Sequence, residues 1–472
     1  MKFTILSHAC MYVEGNGGSI LIDPWLIGSC YWRSWWNFPE PRREWIDALK
    51  PDYIYITHLH WDHFQGPSLK LFDSNTKVLT PLCPTTRMVR DLKSLKMRNV
   101  EEIPHGGKIE LWPGTWLQSY QFGPFFTDSA IVITDGKTVL FDANDCKLFG
   151  LPLKQIRRDY PKIDFCFRSH SSANPLPYCI EGYKEKFPDV RTQQDYIEEF
   201  TNFNMHIGAR HAIPFASNHC FLHRETIHFN ETAVDPGMVS RWYNKRATDL
   251  NLNTECVVMA PGSSWSDVDG FNIVEFDYAN KQDYVNKLLD KYRPKLEAQY
   301  AKEEKAKANF RAFERYFNKM MAAMPKLLRR KLMKPILFKA VEQEADRWFL
   351  ADFPAGEVRE CETAPDVPIT IEVPALVLND CTRKFMFSAW TPSKRLKIHI
   401  KQDNLEGIGL FLELLDYWEN DGFPLKNNFN KRQFGVRLRR WREVVEALLT
   451  VFRVKVLRRR FVVSELFTVP GE

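Results

Sequence analysis

What the chain lacks narrows its identity first. Ten cysteines are scattered over 472 residues, and no two form a C-x-x-C pair. A disulfide framework is not expected, and a reducing cytoplasm is the simplest home. No apolar run approaches the ~20 residues needed to cross a bilayer. The opening MKFTILSHACMYVEGNGGSILID has no charged stretch leading into an apolar core. It reads as strand and turn rather than as a secretion signal. Net charge is small, with 65 Lys and Arg against 59 Asp and Glu. Zinc-finger, RNP and helix-turn-helix patterns are absent, so nucleic acid is not an expected partner. There is no internal repeat and no low-complexity tract.

What is present points to a multidomain globular protein. Hydrophobic residues make up 44% and charged residues 26%, the balance of a folded chain in water. The length exceeds one ordinary core, so two or three domains are expected. Residues 1–280 alternate short apolar runs with turns: SILI at 19–22, YIYIT at 53–57, AIVIT at 130–134, TVLF at 138–141 and CVVM at 256–259. Continuous apolar runs suit strands covered on both faces. Helical stretches fall between them, giving an α/β sandwich in outline. Residues 281–365 change to charged helical periodicity and then a Pro-, Gly- and acid-containing linker. Residues 366–472 read as a small α/β C-terminal domain of unknown role, with RLKIHI at 395–400 as a strand.

The strongest chemical signal is Thr57-His58-Leu59-His60-Trp61-Asp62-His63. It follows an apolar strand directly. Alternate side chains of an extended segment share a face, so His58, His60 and Asp62 point one way and His63 turns in as the chain bends. Three imidazoles and a carboxylate suit one or two divalent ions, zinc or iron. Gathered without a cation, such groups would leave costly unpaired atoms.

This H-x-H-x-D-H pattern resembles the signature of the metallo-β-lactamase superfamily. The resemblance implies an αββα sandwich with His58 and His60 serving one metal site and Asp62 and His63 a second. A closer resemblance rests on DPWLIG at 23–28, Trp35-Trp36, Glu40-Pro41 ahead of Trp45, Asn144-Asp145-Cys146, Pro214-Phe215-Ala216 and Pro261-Gly262. These are similar to the hydrolase-like portion of the cytidine-monophosphate N-acetylneuraminate hydroxylases, over roughly residues 1–280. The Rieske domain of that family needs paired Cys and His ligands, and no C-x-H plus C-x-x-H pattern occurs here. The third histidine of site one, expected just before residues 130–134, is also absent. The superfamily's bridging Asp falls on Asp145, with Asp142 as runner-up. The usual last histidine is replaced by Ala216, which leaves His223 as first candidate and His219 and His170 behind it. His8, His105, His206, His211, His228 and His399 are left as structural or surface residues.

A bound dication lowers the pKa of water from ~16 to ~7. Asp62 can ligate and hold the proton of that water. The expected function is thus a metal-dependent hydrolase acting through a metal-bound hydroxide. Oxygenation by non-haem iron, with electrons from a separate protein, is the alternative, and a binding protein derived from the metal site is a third. Near the site, Arg33, Trp35 and Trp36 are expected to meet a small anionic substrate bearing a nucleotide or sugar. Bases mix with Leu and Phe at residues 326–339, 437–442 and 453–460. The plain expectation buries the apolar side and solvates the Lys and Arg, and peripheral contact with anionic lipid is the alternative.

Overall fold

The computed structural model describes residues 1–471 except 125–126, 187–190, 402–403 and 456–465. Two sheets face one another in the N-terminal part. The first runs Gly270–Asn272, Ser264–Ser266, Lys2–Ile5, Met11–Gly15, Gly18–Ile22, Tyr53–Tyr55, Lys77–Pro81, Val100–Ile103. The second runs Glu255–Cys256, Ala209–Phe215, Ile163–Ser169, Val139–Asn144, Ser129–Thr134, Thr115–Gln121, Lys108–Trp112. Phe3, Ile20 and Ile22 from the first meet Ile131, Phe165 and Ile213 from the second in the layer between them. Helices cover both outer faces. Met88 and Leu92 of the Arg87–Ser94 helix pack beneath the first sheet. Leu153 and Ile156 of Gly150–Asp159, with Phe203 of Gln193–Ile207, cover the second. The architecture is therefore the expected αββα sandwich. Burial on both faces explains the unbroken apolar runs: all six residues of Ser129–Thr134 are buried.

The central strands are parallel neighbours: Gly18–Ile22 with Tyr53–Tyr55, and Val139–Asn144 with Ile163–Ser169 and Ala209–Phe215. Their carboxyl ends open onto one edge, where ligands bind in sheets of this kind. Asp23, residues 57–63, Asp145, His170 and Ala216 all follow such ends.

The C-terminal part is larger than the sequence suggested. Its five-stranded sheet runs Glu357–Cys361, Arg347–Asp352, Pro335–Val341, Ile369–Pro374, Lys397–Ile400. Three of these strands fall inside residues 281–365, the stretch expected to be helical connector and linker. Glu357–Cys361 is an edge strand with no buried residue, so its sequence carries no apolar alternation to read. The segment 326–339 is likewise not one helix. A helix spans Lys326–Leu332, then Pro335 opens a strand in which Leu337 and Phe338 are buried. An aromatic core of Phe313, Phe317, Phe338, Phe387 and Phe411 holds the unit together.

A buried ionic junction fixes the two parts. Arg395 Nη1 and Nη2 donate to the Glu303 carboxylate at 3.1 and 3.0 Å, and its Nε donates to Glu225 at 2.8 Å. Arg395 Nη1 also donates to the Trp32 carbonyl oxygen at 3.0 Å. Glu303 closes the long helix Lys281–Glu304, so N-terminal part, helix and C-terminal part meet at one guanidinium.

Candidate metal centre

The Tyr53–Tyr55 strand carries the chain into residues 57–63, where backbone N–H groups of His63 and Phe64 donate to the His60 carbonyl oxygen and bend it. The His58 and His63 rings lie 4.1 Å apart and the His58 and His60 rings 4.7 Å apart. Donor atoms of His58, His63 and Asp145 converge within 4.8 Å of one another, as do those of His8, Asp62 and His63. The two groups share His63, whose Nε2 lies 3.4 Å from Asp62 and 3.5 Å from Asp145.

The decisive feature is what these groups leave unmade. His58 Nε2 and His63 Nε2 are buried without a hydrogen-bond partner among the described residues. Their other nitrogens are engaged. His63 Nδ1 lies 2.6 Å from Asp23 Oδ2, and His58 Nδ1 lies 2.9 Å from Thr57 Oγ1. Asp23 also accepts from the Thr57 N–H at 2.8 Å and the Thr57 hydroxyl at 2.6 Å. Asp23 therefore makes His63 Nδ1 the protonated nitrogen and frees Nε2 as a ligand, the usual arrangement behind a metal-binding histidine. Asp23 holds φ at 44°, an uncommon conformation retained where it aims this carboxylate. Asp62 is clamped by His8 Nε2 at 3.0 Å and by the Tyr31 hydroxyl, which donates to it. Burial alone would raise the Asp62 carboxyl, but His63 and His8 hold it well below the ordinary value. Burial pushes the His58 imidazole well below its ordinary value, helped by His63 and His60, so it is neutral at pH 7. His63 goes the other way: desolvation would lower it, but Asp62, Asp23 and Asp145 outweigh that and hold its imidazole well above the ordinary value. Without a cation a proton therefore offsets these carboxylates, and a divalent ion would take that proton's place.

Sequence reasoning missed four contributors. His8 was left as structural, yet it belongs to one of the two donor groups. Asp128 stands just before Ser129–Thr134, where the expected histidine is absent, and lines the site cleft with His60. Glu413 and Asp416 come from the C-terminal helix Leu405–Glu419 and line the same 530 Å³ cleft. Burial raises the Asp128 and Asp416 carboxyls, Asp128 adds repulsion at Asp416, and His60 pulls both down. Only the bare Asp128, one residue from a strand, was visible in sequence. Nothing in the local pattern of 405–419 marks its acids as facing a site in another domain.

Other expected residues go elsewhere. Asp142 lies in neither donor group, and its Oδ1 accepts the Asn144 N–H at 3.1 Å. His223 belongs to the ionic junction: its Nε2 donates to Glu303 at 3.2 Å and its Nδ1 accepts the Glu225 N–H at 3.2 Å. With both nitrogens engaged it is not placed to ligate. His219 stacks flat on Trp35 at 3.5 Å. His170 is buried beside the cleft and is held neutral, its imidazole pushed down to about 3 by desolvation; neither histidine joins a donor group. Trp35 lines the cleft. Trp36, next along the short strand Trp35–Asn37, points the opposite way and packs on Tyr292 at 4.1 Å. Arg33 sits over Trp36 and donates to the Ser29 hydroxyl at 3.1 Å, outside the cleft. The cations that do line the cleft are Lys147 and Arg191.

The N-terminal part of the chain is similar to known proteins. Residues 2–121 match the family described as the beta-lactamase superfamily domain. A putative Rieske 2Fe-2S iron-sulfur protein of Mycolicibacterium smegmatis is 28% identical over 252 residues, covering 51% of this chain and 48% of that protein. The cytidine monophosphate-N-acetylneuraminic acid hydroxylase of Xenopus laevis is 35% identical over 111 residues, 22% of this chain and 19% of the hydroxylase. The chain thus spans about half the length, or less, of these relatives. Among solved structures, an isothiocyanate hydrolase from Delia radicum gut bacteria aligns with 56% of this chain and 99% of its own, at 13% identity and a TM-score of 0.41. Residues 2–121 thus match a beta-lactamase superfamily domain, and the chain is similar in sequence to these hydroxylases and Rieske-named proteins over part of its length.

Proposed function

We propose that this protein is a metal-dependent hydrolase of a small anionic substrate, working in the cleft between the sandwich and the Leu405–Glu419 helix. The observation that carries the reading is Asp62. Its carboxylate lines the cleft, yet it is buried and clamped from behind by His8 and Tyr31. One oxygen can serve a cation while the carboxylate holds the proton of an attacking water. One or two divalent ions held by His58, His60, Asp62, His63 and Asp145, with Asp128 in the place of the absent histidine, would supply the activated water. Lys147 and Arg191 offer charge to an anionic group, the role first expected of Arg33. Trp35 gives a flat wall, and Glu413 and Asp416 close the opposite side.

A second reading is oxygenation with iron and an external electron donor. Two observations favour it: the hydroxylase and Rieske-named relatives, and a donor set rich in carboxylates, which suits iron. Purified chain loaded with zinc or with iron, assayed on chromogenic phosphate and carboxylate esters with and without oxygen, separates the two. Hydrolysis predicts anaerobic turnover by the zinc form that Asp62→Asn abolishes. Turnover confined to the iron form, with oxygen consumed, would replace hydrolysis by oxygenation.

A further inference from the structure

We propose that the outer face of the helices Lys431–Arg439 and Trp441–Lys455 is a docking surface for an anionic lipid membrane. Ordinary surface helices bury their apolar stripe and solvate their charges. Here the arrangement is inverted. Inward-facing polar groups pin the helices to the sandwich. Arg440 donates to the carbonyl oxygens of Gln121 at 2.9 Å and Gly123 at 2.8 Å. Glu446 accepts the Leu151 N–H at 3.0 Å, and Arg432 donates to the Cys83 carbonyl oxygen at 2.8 Å.

Apolar side chains face outward instead. Phe434 and Leu438 on the first helix, and Trp441, Val445, Leu448 and Phe452 on the second, recur every three or four residues. Each helix therefore carries an outward apolar stripe, and each side chain is at least 44% exposed. Leu425 and Phe429 add to these, Phe429 at 78% exposure. Nine of the eighteen exposed large hydrophobic residues among the described residues fall between 425 and 452. One scattered apolar side chain on a surface is ordinary, but a contiguous set marks an interaction site.

Charge selects the occupant. Lys426, Lys431, Arg439, Arg442 and Arg453 are exposed along the same stretch, and no acid is exposed there among the described residues. The two acids of the second helix are turned inward, Glu443 to Arg440 and Glu446 to Leu151. A second copy of the chain meeting this face about a two-fold axis would set five cations against five cations. An anionic bilayer accepts both components: the rings enter the interface and the cations meet headgroups. Because Arg440, Arg432 and Glu446 hold the helices in place, no refolding is needed to present the face. The expectation of an inward apolar side is reversed within residues 437–442, where Leu438 and Trp441 are exposed. Residues 456–460 of the basic segment first noted lie outside the described residues.

The test is flotation of the full chain with phosphatidylcholine vesicles, with and without phosphatidylserine. We expect partition into the phosphatidylserine vesicles alone, falling as salt rises. At about 1 kcal/mol per cation near the surface, Arg439→Gln with Arg442→Gln should lower the partition coefficient about 30-fold. Leu448→Ser with Phe452→Ser should lower it by about ten-fold or more. These side chains are exposed, so unfolding midpoints should stay unchanged, which separates loss of docking from loss of fold. Failure to bind either vesicle, or equal binding to both, overturns the proposal. A lipid-free dimer dissolved by the Leu448→Ser and Phe452→Ser pair would also overturn it and assign the face to a second copy.

Discussion

Two places in this molecule bury histidine beside carboxylate, and they are built in opposite ways. At the ionic junction, His223 donates from one nitrogen, accepts at the other, and shares Glu303 with Arg395. Its ionic and hydrogen-bonding groups are matched by protein. In the sandwich cleft, His58 and His63 each spend one nitrogen on the protein and leave the other bare, aimed at Asp62 and Asp145. Burial with full pairing is structure. Burial with two bare ligand atoms, held by partners that fix their tautomers, is a place prepared for a cation.

The sharpest way to break that contrast is to remove one histidine from each place. His63→Ala should cut metal stoichiometry to near zero and activity by more than about 100-fold, beyond the 10–100-fold usual for outer partners. His223→Ala should leave metal content unchanged. Elemental analysis of both purified variants decides the matter, and metal lost from both would erase the distinction.

The junction should instead answer in stability. Glu303→Ala removes the carboxylate shared by Arg395 and His223 and leaves Arg395 only Glu225 and the Trp32 carbonyl oxygen. The cost should approach the low end of the range for breaking a buried pair by deleting one partner, about 3 kcal/mol. Thermal unfolding reads this, with metal content as the unaffected control. Acid should reproduce part of the loss. Burial would raise the Glu303 carboxyl, but the His223 hydrogen bond and Arg395 outweigh it and hold it near 2, below the ordinary 4.5. A carboxyl lowered on folding stabilises fully above its unfolded value. That stability, about 3 kcal/mol for such a shift, should fade as pH falls from 4.5 towards 2. Wild type should lose it across that window, and Glu303→Ala, already lacking it, should show a shallower acid transition.

The contrast also explains what the sequence could and could not disclose. His58, Asp62 and His63 were legible because they fall within six residues behind an apolar strand, whereas His60, expected beside them, lines the cleft but joins neither donor group. His8 was not, since it reaches Asp62 across 54 positions and stands alone in its own segment. Nor were Glu413 and Asp416, which arrive from another unit. His223 was misread because order along the chain was the only guide, and its partner Glu303 lies 80 residues on. Arg33 was misread because it lies in the turn before the Trp35–Asn37 strand, with φ at 67°, and Trp36 for a different local reason. Adjacent residues of a strand face opposite ways, so if Trp35 lines the cleft, Trp36 cannot. The sandwich was legible from its doubly covered strands, whereas the edge strand Glu357–Cys361 and its neighbours were not.

The smallest effect is expected one step behind the ligands, and it tests whether the bare nitrogens are held bare on purpose. Asp23 is the only described hydrogen-bond partner of His63 Nδ1 besides a long 3.5 Å approach to Thr57. Its carboxylate fixes the proton on Nδ1 and leaves Nε2 to bind. Asp23→Asn keeps the shape but lets the amide donate, which favours the proton on Nε2, where it blocks a metal. Metal affinity should fall by about 10–100-fold. Titration with zinc, followed by a competing chelator, measures this. An Asp23→Asn variant that binds as tightly as wild type would mean that the cluster, not Asp23, sets the tautomer of His63.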